Sequence, residues 1–165
     1  MQIKDEKLRE IWHKANPPVI FKRKSGEPLL VKLPGDNHLN NFDIIRNNKR
    51  HKPKWNKQFK CWETPVAWYD DLAHHLLSHF SGVYLIQLYR EQQKCAPACW
   101  NALGLHCECS CMGANHGSGH PSGNWHEVSE TFAFTWGDKK YASRLLLPTL
   151  DKYSSNNKTG HSHNL

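Results

Sequence analysis

The chain has 165 residues, 38% of them hydrophobic, which suits one domain with a modest core rather than several. Mean hydropathy is −0.74, and no apolar run is long enough to span a membrane. Lysine and arginine number 22 against 15 acidic residues, a formal charge of +7, and there are seven tryptophans. Cations meet phosphates and flat rings stack on bases, so this balance points toward nucleic acid. It equally fits a solvated basic surface over a core that contains the tryptophans.

Residues 1–14 are charged and lack the apolar stretch of a secretory signal. A cytoplasmic chain with reduced thiols is therefore expected. Residues 5–15 are predicted as a short amphipathic helix using Leu8, Ile11 and Trp12, ended by Pro17-Pro18. Residues 19–23 and 29–33 flank Ser25-Gly26-Glu27-Pro28 and read as a hairpin. Phe42-Asp43-Ile44-Ile45-Arg46 reads as a further strand, followed by a basic stretch over 47–55. Residues 59–63 form the next expected strand. Thr64-Pro65 then opens the principal helix, with Thr64 as N-cap, and the helix runs to about His79. Val83 to Tyr89 is predicted as a strand, as is Val128 to Trp136. Tyr141 to Leu147 is a last strand or a short helix. Residues 151–165 are polar and read as a disordered tail. The expectation is a single α+β domain over 1–150, mainly an antiparallel sheet with one principal helix and a zinc-stapled Cys-rich insertion at 94–117.

Five of the six cysteines define that insertion: Cys95, Cys99, Cys107, Cys109 and Cys111. A C-x-C pair bridges poorly, because a disulfide needs its side chains turned toward one another. On a strand, however, i, i+2 and i+4 share a face, so several sulfurs can meet at one point. A tetrahedral Zn²⁺ in a closed four-ligand site is the favoured reading, one per chain, with an iron–sulfur cluster as the less favoured one. Cys95 and Cys99 would form one half, the second opening a short helix over 98–103. Two of Cys107, Cys109 and Cys111 would form the other. A mixed site using His106, His116, His120 or His126, and free structural thiols, stay open.

Met112 to His120 sets Asn115 and His116 among glycines, a turn whose backbone N–H groups suit an anion. His116 is a candidate ligand, phosphate contact or general base, and Glu127 or Glu130 a candidate carboxylate to orient it. An ordinary surface loop is the simplest account. No nucleophile elbow, H-E-x-x-H or zinc-deaminase pattern is present. On the helix, His75 and His79 have the spacing of a metal pair but no third ligand nearby.

Between Arg46 and Lys60 lie Arg46, Lys49, Arg50, Lys52, Lys54, Lys57 and Lys60, interleaved with Trp55, Phe59 and Trp62. Trp62 and Trp68 are expected in the core and Trp55 on the surface. Within residues 42–83 the order is a basic strand, Lys54-Trp55-Asn56, a second strand Lys60-Cys61-Trp62-Glu63, then Thr64-Pro65. A helix with Tyr69 and Asp71-Leu72 and a return strand complete it. In this order the segment resembles the HARP domain of annealing helicases. The resemblance covers about a quarter of the chain and implies a small β-α-β unit that helps bind branched or single-stranded DNA. No helicase motor or Walker loop accompanies it, and the cysteine block is no part of that pattern.

The expected function is a nucleic-acid-binding protein with a structural zinc, contacting DNA or RNA through Arg46, Lys49, Arg50, Lys52, Lys54 and Trp55. The alternatives are a nucleic-acid- or nucleotide-processing enzyme using His116 and Glu127, or a small inhibitor whose protein partner's nucleic-acid groove it occupies.

Overall fold

The computed structural model describes residues 3–90, 105 and 126–148. The first helix, α1, spans Glu6–Lys14. Asp5 caps it by accepting the Leu8 N–H at 2.8 Å, and Ala15 ends it in the left-handed region at φ 48°. Its apolar positions bury Leu8 and Trp12. Strands β1 (Val19–Phe21) and β2 (Leu29–Lys32) pair antiparallel, as the hairpin reading expects, with Gly26 at φ +86° in the turn.

Phe42 to Arg46, expected as a strand, is helical. It forms the last part of α2 (His38–Arg46). Two asparagines outside the run decide this. The Asn37 side chain accepts the Asn40 N–H at 3.0 Å and caps the first turn. Asn47 closes the helix in the left-handed region at φ 46°. With both ends satisfied, Asn41 and Ile45 fall four residues apart on the buried face. The β-branched composition of Ile44-Ile45 loses to capping and packing.

Strands β3 (Lys54–Asn56) and β4 (Cys61–Thr64) form a second hairpin. Thr64 is not the N-cap expected of it. It is the last residue of β4, its Oγ1 buried without a hydrogen-bond partner among the described residues. Pro65 leads instead into a 3-10 turn at Val66–Trp68, and α3 runs over Tyr69–His79 with Asp70 and Asp71 in its first turn. Strand β5 spans Val83–Leu88, and β6 (His126–Trp136) and β7 (Lys139–Pro148) make a long hairpin with a bulge between Val128 and Glu130. The segment at 141–147 is thus strand.

The seven strands of the described residues share one sheet in the order β3-β4-β2-β1-β5-β7-β6. Every pairing among them is antiparallel except β1 with β5. The architecture is α+β, with three α-helices among the described residues rather than one principal helix. None of them is long and apolar enough to cross a membrane.

Alternation along the strands feeds two cores. On one face Ile20, Leu29, Val31, Leu85 and Leu146 meet Ile45 of α2 and Leu72, Ala73 and Leu76 of α3. On the other face Val19, Phe21, Leu30, Ile86, Phe134 and Tyr141 meet Leu8 and Trp12 of α1. The sheet is thus covered on both sides, which accounts for the unbroken apolar runs in β1 and β2.

Leu105 belongs to the first core and is fully buried there. Its N–H donates to Asp70 Oδ1 at 2.8 Å, and its carbonyl accepts from Arg144 Nη2. Arg144 itself is buried, paired in register with Leu85 across β7 and β5. The cysteines at 95, 99, 107, 109 and 111, with His116, the turn around it and the tail from 151, lie outside the described residues. Glu127 is placed in β6 by its backbone.

Candidate nucleic-acid interface

The basic segment begins where α2 ends. Arg46 is turned inward, its Nε donating to the Lys49 carbonyl at 2.8 Å. Lys49 lies 3.7 Å from Asp71 Oδ2 and 5.4 Å above the Trp68 ring. Both cations are half-buried and already engaged with their own fold, so they hold the α2–β3 connection against α3. Arg50, Lys52 and Lys54 are exposed. The six residues expected to contact nucleic acid thus divide into two that brace the connection and four, Trp55 included, that face solvent.

β3 is an edge strand of the sheet formed by the described residues, and its register sets Trp55 directly opposite Trp62 of β4. The two indoles meet edge-to-face, centroids 5.1 Å apart at 71°. Trp62 is half-buried and rests on Phe42 of α2 at 5.5 Å. Trp55 is 39% exposed, in line with its expected place at the surface. Trp62 and Trp68, expected in the core, only line it, half-buried against it. The His38 ring, at the start of α2, closes the cluster 4.4 Å from Trp55.

These rings wall a groove of about 230 Å³ that no sequence pattern announces. One side is the last turn of α1, with His13 and Lys14. The floor is the end of β2 and the loop after it, with Lys32, Gly35 and Asp36. The other side is the β3–β4 hairpin, with Trp55, Lys60 and Trp62. Asp36 is the one acidic residue on this lining, against three lysines and two histidines.

Each lysine is held differently. Lys14 is bonded to Glu10 at 2.6 Å on the exposed face of α1. The stem of Lys32 is packed so that its ammonium lies 5.4 Å from the Trp12 ring, and burial holds its pKa below the ordinary lysine value. Lys60 sits in the left-handed region at φ 51°, an uncommon conformation for a residue with a side chain. The hairpin turn imposes it. Asn56 accepts the Phe59 N–H at 2.9 Å and donates to Glu63 at 2.8 Å, folding the turn back over β4. The result carries Lys60 to the groove wall.

Beneath the groove, Cys61 is buried and its thiol is pushed up to about 12, chiefly by burial. It packs in the second core beside Trp12 as a small apolar side chain, with no nucleophilic role at neutral pH.

Elsewhere, the His75 and His79 rings lie 4.5 Å apart, tilted by 58°, but His75 Nε2 is committed to the Ile44 carbonyl at 2.9 Å. No group of three metal-ligating side chains occurs among the described residues. The strand expected at 42–46, with which the HARP resemblance begins, is helical and belongs to α2. No family model, curated protein or solved structure matches this chain.

Proposed function

We propose that this chain binds nucleic acid, DNA or RNA, through the Trp55 groove and the basic edge beside it. The observation that carries the reading is an exposed tryptophan on an edge strand, set over a cleft whose charged lining is three lysines and one aspartate. Stacking on an exposed ring is sequence-tolerant and worth about 1–3 kcal/mol per base, and lysines supply the phosphate attraction that such stacking lacks. Arg50, Lys52 and Lys54 extend the positive surface along the strand edge outside the groove. The accessory role implied by the HARP resemblance is the same kind of role, without a motor.

A structural zinc belongs to the proposal. Four of Cys95, Cys99, Cys107, Cys109 and Cys111 would hold it, since a set of thiolates at these spacings suits a closed tetrahedral site. The metal would stabilise the stretch that Leu105 ties to the sheet. It takes no part in contacting the strand.

The test is a titration of fluorescein-labelled oligothymidylate and oligouridylate at several salt concentrations. Affinity that falls steeply with salt, and falls again in Trp55→Ala, is the expected result. Binding insensitive to salt and to Trp55 would dismiss the reading.

A further inference from the structure

The groove is small, and its size and lining together point to its occupant. At about 230 Å³ it lies below the roughly 300–1,000 Å³ of clefts that enclose drug-sized ligands. A single base with its sugar and phosphate is on that scale, whereas a base pair or a run of stacked bases is not. The lining divides the same way. Trp55, Trp62 and His38 supply ring surface, and Lys32 at the floor and Lys60 on the hairpin wall beside the rings supply cations. Asp36 and the amide oxygen of Asn41, whose Nδ2 already donates to the Pro34 carbonyl, add acceptors at the α2 end, where a base edge can be read.

We propose that the groove between α1, the β2–α2 loop and the β3–β4 hairpin is a pocket for one unpaired, phosphate-bearing nucleotide, taken free or splayed from a single strand. This rests on the nucleic-acid reading and narrows it. The base stacks against Trp55 and the phosphate reaches Lys32 and Lys60. A base within a duplex is already paired and stacked, so it offers the groove neither a free edge nor a free face. The protein therefore separates single strands from duplex by exclusion rather than by sequence.

Lys32 fits this occupant. It is half-buried, burial lowers its pKa, and its cationic neighbour Lys60 lowers it further. Among the described residues no carboxylate forms a salt bridge with it. An arriving phosphate supplies the missing counter-charge.

Calorimetric titration of the full-length protein with thymidine 5′-monophosphate, thymidine and inorganic phosphate tests the pocket directly. The expected result is one site per chain that binds the monophosphate at least tenfold more tightly than either fragment. Lys60→Gln, an exposed position, should weaken it about tenfold. Trp55→Ala should weaken the monophosphate but leave inorganic phosphate unchanged. In parallel, a ten-nucleotide oligothymidylate should compete with the monophosphate, and the same oligomer annealed to its complement should not. If the oligomer binds but the monophosphate neither binds nor competes, the pocket is wrong while the nucleic-acid reading survives. If the monophosphate binds and the oligomer does not, the pocket stands and the chain is a nucleotide binder. If neither binds, both fall. Equal competition by the duplex would overturn the exclusion of paired bases.

Discussion

Trp55 and Trp62 face each other across β3 and β4 as a directly opposed pair, edge to face at 5.1 Å. One ring is largely committed to the fold and the other is not, and the pair therefore divides by experiment. Trp62 rests on Phe42 and the α2–α3 core. Trp62→Ala should lower stability by about 2–4 kcal/mol, somewhat less than the loss of about 3–5 kcal/mol for a fully packed aromatic because the ring is half-buried. Trp55→Ala should cost less than about 1 kcal/mol of stability yet weaken oligonucleotide binding by about 1–3 kcal/mol. Urea unfolding and a binding titration on the same two variants check both halves.

The salt response reports which lysines touch phosphate. Each phosphate contact to a single strand contributes about −0.7 to the slope of log affinity against log salt. Lys60→Gln and Lys54→Gln should each flatten that slope by about 0.7. Lys49→Gln should change stability more than slope, because Lys49 is spent on Asp71 and Trp68. A Lys49 variant with the larger loss of slope would reverse this assignment.

Leu105 is tied at three points, by its side chain in the core, its N–H on Asp70 and its carbonyl on Arg144. Leu105→Ala should destabilise the fold by about 2–5 kcal/mol. Asp70→Ala leaves the Leu105 N–H without its acceptor and should cost about 1–3 kcal/mol. The two losses should be non-additive in a double-mutant cycle, since they share one attachment. If zinc steadies the neighbouring cysteines, chelator treatment should reduce the protection of the Leu105 amide in hydrogen exchange. Elemental analysis should find about one zinc per chain, with no visible absorbance. Iron with absorbance near about 400 nm would replace zinc by a cluster.

His75 gives the pH dependence. Burial first, then the neighbouring His79, holds its pKa below the ordinary histidine value of 6.5, while the Ile44 carbonyl opposes them. The unfolded chain therefore binds the proton more readily than the folded one. Stability attributable to His75 is fully present above pH 6.5 and is lost as pH falls toward and through its depressed folded value. His75→Gln should flatten this acid-side slope in thermal melts between about pH 4 and pH 7. An unchanged slope would place the acid sensitivity in other groups.

Much of the sheet is legible in the sequence because local pattern and local fold agree there. β1 and β2 sit on either side of a Gly-Glu-Pro turn, and β6 alternates over most of its length. α2 is not legible, because Phe42-Asp43-Ile44-Ile45 has strand composition while the deciding caps, Asn37 and Asn47, lie outside that run. The body of α3 stands out by its periodicity, but its start does not, since Thr64 is taken by β4. The exposed Trp55 is legible from its lysine neighbours. The groove is not. Its walls come from residues 13–14, 31–41 and 55–62, and only the sheet order brings Lys32 and Lys60 to one place. Periodicity reports a residue's own element and is silent on what faces it.

The lone parallel pairing among the described strands, β1 with β5, marks where the molecule can be taken apart. Strands drawn from residues 19–64 all lie on one side of that seam, and strands from 83–148 all lie on the other. Each side is knit by hairpins and near neighbours, whereas the seam is the only place among the described residues where the two stretches of chain pair strand to strand. A nick introduced at exposed Ser81, between α3 and β5, would leave two fragments whose strands are each contiguous in sequence. Such fragments are natural halves for a reconstitution reporter, and the ring-lined groove would travel entirely with the first.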